Sequence, residues 1–113
     1  MADNDWEKQV QMNEPVFAAL RGAGEDLSDE RHVVHYFYDG DLEGLTAALD
    51  EAGFETRPTQ TSPGVIAEHH AVTDEAWSAT CMKQMCDLAN RFGAEYDGWE
   101  GAMVRQGPSG EIH

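Results

Sequence analysis

The stretch at residues 31–55, RHVVHYFYDGDLEGLTAALDEAGFE, changes its hydrophobic period halfway along. Residues 32–38, HVVHYFY, are mostly β-branched or aromatic and are stopped by Asp39-Gly40, which is the composition of a strand followed by a turn. Apolar side chains fall on both parities, with Val34, Tyr36 and Tyr38 on one face and Val33, His35 and Phe37 on the other. That pattern predicts a central strand covered on both sides. From Asp41 the period becomes helical: Leu42, Leu45, Ala48, Leu49 and Ala52 share a stripe, Asp41 is the capping residue, and Gly53 ends the run.

The pattern continues outward in both directions. Residues 54–59 predict a second strand, and residues 65–72, VIAEHHAV, a third after the Ser-Pro-Gly turn. A helix then begins at Thr73 or Asp74 and runs to Phe92, with Trp77, Cys81, Met85, Leu88 and Phe92 on one side and Gly93 as its stop. The Met and Trp residues of this stripe read as core packing against a sheet rather than as an adaptable binding surface. The last strand spans 94–105, AEYDGWEGAMVR. Before the decisive stretch, Trp6, Val10, Val16, Phe17 and Leu20 have helical spacing, but Pro15 interrupts it. A mid-helix proline loses a hydrogen bond and clashes with the preceding turn, so the main helix is placed at 13–21, capped by Asn13 and ended by Gly22.

Helix followed by β-α-β-β-α-β predicts an α+β domain: a ferredoxin-like βαββαβ antiparallel sheet with an extra N-terminal helix. Residues 1–113 form one domain, divided into an N-terminal helix and linker at 1–30, the core at 31–105, and a loose C-terminus at 106–113.

Composition narrows the function. Among 113 residues, 22 Asp and Glu face 7 Lys and Arg, a formal net charge of -15. The acids are spread along the chain. Such a field repels polyanions, which argues against direct nucleic-acid binding and against docking on anionic lipid. The N-terminus lacks the basic start and apolar run of a secretory signal or anchor, so the expected compartment is cytoplasmic. Cys81 and Cys86 are five apart in a helix, a spacing that suits neither a disulfide nor a zinc pair.

Catalytic signatures are weak. No phosphate-cradling glycine loop and no nucleophile elbow occurs, and carboxylates this abundant single out no acid/base pair, so no enzyme activity, cofactor or metal is expected. His32 and His35 point to opposite faces of a strand, as do His69 and His70. A site built across strands, for instance from His35 and His69, is the open alternative, because neighbouring strands bring such residues within reach. The segment at 95–99, EYDGW, carries a different signal. Asp-Gly inside a strand predicts a bulge that re-aims Trp99. Tyr96 and Trp99 are then either core aromatics separated by the bulge or, with Asp97 and Glu100, a rim facing a partner.

At this segment the sequence resembles the regulator of ribonuclease activity B family, RraB, whose members inhibit the endonuclease RNase E. The resemblance rests on GAEYDGWE at 93–100 after LANRFG at 88–93, on VIAEHHAV at 65–72, and on the pattern of 31–55. It implies a non-enzymatic protein that binds a basic region of an RNase E-like endonuclease; the candidate partner-binding residues remain those of the bulge, Tyr96, Asp97, Trp99 and Glu100. An acidic domain meeting a basic arm gains a fast, salt-sensitive encounter. The best-known members end in a long acidic tail, whereas this sequence stops shortly after Arg105, which places any docking on the domain itself. Two alternatives stay open: a small-ligand or metal-binding domain using the strand histidines, and an interaction module that dimerises through one sheet face.

Overall fold

Burial alternates along the first strand with period two: Arg31, Val33, His35 and Phe37 are buried, while His32, Val34, Tyr36 and Tyr38 are half-buried. One face of the strand therefore meets the core. The other has no helix over it among the described residues, so the expected two-sided cover is not found, and the apolar residues there are chiefly tyrosines whose rings tolerate a wet face.

In this computed structural model, residues 4–60 and 63–104 are described. Helix α1 (Trp6–Gly22) leads into strand β1 (Glu30–Tyr38), helix α2 (Leu42–Glu51), strands β2 (Glu55–Pro58) and β3 (Gly64–Val72), helix α3 (Glu75–Arg91) and strand β4 (Glu95–Gly101). All strand pairs are antiparallel, in the order β2-β3-β1-β4. This is the ferredoxin-like arrangement with an added N-terminal helix, as the order of periodic blocks predicts. The Asp41 and Asp74 carboxylates accept from Gly44 N–H and Trp77 N–H, so both crossover helices start at a side-chain cap. Leu45, Leu49, Met82, Met85 and Cys86 from those helices close over Phe37 and Ala67 of the sheet, all fully buried. Met82 and Met85 are thus core residues, and both cysteines are buried and free.

Three boundaries differ from expectation by two residues or more. Helix α1 starts at Trp6, not at Asn13, and continues past Pro15. Asp5 supplies the cap by accepting from Glu7 N–H and Lys8 N–H. Trp6 and Val10 pack on the main core, while Phe17 and Leu20 form a satellite core with Leu27. Apolar burial on both sides of the proline outweighs the hydrogen bond it removes. The second boundary is β4, which ends at Gly101 rather than Arg105. Beyond Gly101 the chain leaves the sheet to meet a buried ion pair, Arg31 Nη1 to Glu25 Oε1 at 2.8 Å, both side chains fully buried. Arg31 donates to Ala102 O and Asp26 O, and Glu25 accepts from Val104 N–H at 2.7 Å. Thirdly, β1 begins two positions before His32, at Glu30, paired with Val72. The C-terminus expected at 106–113, and Arg105 itself, lie outside the described residues.

Candidate functional site

The register of β1 against β4 shifts between His35, opposite Trp99, and Phe37, opposite Tyr96. Asp97 and Gly98 together oppose the single residue Tyr36, and Gly98 has φ +98°, a conformation in which an L side chain is strained. The bulge anticipated at EYDGW is present. It keeps both Tyr96 and Trp99 on the inner side of the sheet, where a regular strand would send them to opposite faces.

The four candidate partner-binding residues consequently divide. Asp97 and Glu100 are exposed, Trp99 is half-buried, and Tyr96 is buried at 3% exposure. Tyr96 offers a partner no side-chain surface and supports the bulge from beneath. Trp99 stacks edge-on against Trp77, centroids 4.9 Å apart, and its indole N–H donates to Asn13 Oδ1 at 2.9 Å. Asn13 Nδ2 in turn donates to Ser78 Oγ at 2.9 Å. Because an indole nitrogen only donates, this contact sets the orientation of the Asn13 amide. The bridge ties α1, α3 and β4 together. Sequence reasoning assigned Asn13 to a cap and missed it; the one available signal was a polar residue lying among helically spaced apolar ones.

Around the bulge the surface is acidic and partly apolar. A shallow groove of about 240 Å³ runs between α1 and β4, bordered by Met12, Val16, Asp97 and Trp99. Met12 and Val16 are exposed there. On the open sheet face, Glu100 sits across from Val34 and accepts from the Tyr36 hydroxyl at 3.2 Å. Partial burial, with the Glu100 carboxylate alongside, raises the Tyr36 phenol above its ordinary value. Glu95 lies opposite Tyr38, and Glu68 opposite Val34. Glu68 accepts from Arg57 Nε at 2.7 Å and contacts His32 Nε2 at 2.9 Å; the Arg57 hydrogen bond, followed by its charge, holds this carboxyl below its usual range. The start of β4 is fastened by Asn4, whose side-chain amide donates to Ala94 O and accepts from Tyr96 N–H, each at 2.8 Å. That amide occupies part of an edge an added strand would use.

Beneath the bulge the two inward histidines meet. His35 pairs with Ala67 and His69 with Val33, a diagonal on the inner face, and their Nε2 atoms are 2.9 Å apart. His32 and His70 lie opposite each other on the outer face. Burial, then the neighbouring His69, pushes His35 down to about 3, and burial, then His70 and His32, pushes His69 down to about 4. Both rings are neutral near pH 7.

Fold and surface define an acidic α+β domain of ferredoxin-like topology, with an extra helix laid beside its helical layer and an open sheet face. A family model described as RraB, regulator of ribonuclease activity B, matches residues 11–101, and the chain belongs to that family. The match runs from within α1 to the end of β4. Comparison with curated proteins gave no match. No described helix is long and apolar enough to cross a membrane.

Proposed function

We propose that this protein is a non-enzymatic cytoplasmic regulator that inhibits an RNA-processing endonuclease of the RNase E type by docking on a basic region of it. The family match over residues 11–101 carries this reading. The net charge of -15 and the exposed acids of β4 supply the complementary field, which speeds encounter with a Lys- and Arg-rich segment and repels RNA. The proposed contact surface is the bulge, with Asp97 and Glu100 engaging basic side chains and the exposed edge of Trp99, beside Met12 and Val16, taking apolar contact. A second copy of the same chain fits this surface poorly, because Asp97 and Glu100 would face like charges across it.

The test is direct. Purified protein binds a basic segment of RNase E and slows RNA cleavage, with affinity falling as salt rises. Failure to bind any segment of the nuclease at low ionic strength overturns the reading.

A further inference from the structure

Two imidazoles and a thiol, from three elements, converge beneath the sheet's inner face. Cys81 Sγ of α3 lies 3.8 Å from His35 Nε2 of β1, which is itself 2.9 Å from His69 Nε2 of β3, and all three donor atoms fall within 4.8 Å of one another. Tyr96 donates its hydroxyl hydrogen to Met82 Sδ at 3.7 Å, so its oxygen is free to accept from His35 Nδ1–H at 2.8 Å. In the tautomer that this relay requires, the lone pair of His35 lies on Nε2. One lone pair then faces both the His69 N–H and the Cys81 thiol, more donors than it can serve well.

We propose that His35, His69 and Cys81 form a binding site for one transition-metal ion of the zinc class, with solvent in the fourth position. A tetrahedral ion with bonds of about 2.0–2.3 Å needs donors roughly 3.3–3.6 Å apart, a spacing that the 2.9 and 3.8 Å separations bracket. Two imidazoles and a thiol select a borderline-to-soft ion over magnesium or calcium, which take oxygen ligands. The Tyr96 contact on His35 Nδ1 is the outer-shell hydrogen bond that metal-bound histidines carry. Phe54, Trp77 and Tyr96 wall the site with aromatic rings, while half-buried His69 opens it to solvent. Binding balances simply: the thiol proton leaves to solvent, the His69 proton moves from Nε2 to Nδ1, and three lone pairs then point at one ion. Burial holds the Cys81 thiol up at about 12, so the ion itself must displace that proton. The site is independent of the proposed nuclease docking.

Untagged full-chain protein, reduced and chelator-stripped, is titrated with Co²⁺ and followed by its visible spectrum. One ion per chain, tetrahedral d–d bands and a thiolate-to-cobalt charge-transfer band that Zn²⁺ bleaches support the site, together with a higher unfolding temperature. Cys81→Ser abolishes the charge-transfer band, and Tyr96→Phe weakens binding by about 10–100-fold. Folded wild-type protein that binds no Co²⁺ saturably, or shows only weak octahedral bands from surface carboxylates, overturns the proposal whether or not the variants fold.

Discussion

Asn13 shows how one side chain can set a surface. Its amide joins Trp99 to Ser78, so Asn13→Leu leaves a half-buried indole N–H and a buried hydroxyl without their partner. The expected cost is about 1–3 kcal/mol, read as a lower urea midpoint, with weaker partner binding as Trp99 shifts. Wild-type stability in the variant removes the bridge from the account of the bulge. The buried histidines give a pH dependence whose direction follows from burial. In the unfolded chain both rings titrate near the ordinary 6.5, whereas folded His35 sits at about 3 and His69 at about 4. As pH falls below 6.5 the unfolded state takes up protons first, so folding is progressively destabilised down toward those folded values. In chelator, the thermal midpoint should therefore drop between about pH 7 and about pH 5, and His35→Gln should flatten that slope. Equal midpoints for wild type at the two values would contradict neutral burial of the pair.

At the level of elements, β4 and α1 each break a local rule. Gly98 holds the bulge at φ +98° with open space around it, so Gly98→Ala meets backbone strain rather than a clash. It should destabilise by about 1–3 kcal/mol and, by rotating Trp99 against its inner-face neighbours, weaken nuclease binding more than its stability loss explains. Comparable denaturation midpoints for the two proteins would count against the strained bulge. In α1, Pro15 removes the N–H that would reach Gln11 O. Pro15→Ala should raise stability by up to about 3 kcal/mol, because the helix already continues on both sides of it. A drop instead would mean that the proline shapes the packing of Phe17 and Leu20. The crossover helices and strands β2 and β3 were legible because period two, period 3.6 and acidic caps are local signals, whereas the start of β1 and the end of β4 were not. Pro15 was misread for the same reason, since the burial that overrides it involves α3 and Leu27.

Across the whole molecule, the Arg31–Glu25 pair closes the domain by joining the loop after α1 to the segment after β4. Removing one partner strands the other charge without water. Arg31→Ala should cost about 3–5 kcal/mol in chemical denaturation, far more than a surface pair such as Arg21–Glu75. A loss below 1 kcal/mol would show that water reaches the site. The summed acidity acts at this scale too: neutralising Asp97 and Glu100 together should lower the association rate with a basic nuclease segment and its salt dependence, with little effect on the unfolding midpoint. An unchanged association rate would move the docking surface away from the bulge.

Local chemistry determined the order of elements, the caps of α2 and α3, the bulge at Asp97-Gly98, the family and the excess of negative charge, because each is written in the residue types themselves. Tertiary structure alone decided that no described helix covers one sheet face, that Tyr96 turns inward while Asp97 and Glu100 face solvent, and that α1 runs through its proline. It also brought His35, His69 and Cys81 to a common point and buried Arg31 against Glu25. These depend on strand register and helix packing between residues far apart in the chain, whose energies outweigh local preference only once the elements have met.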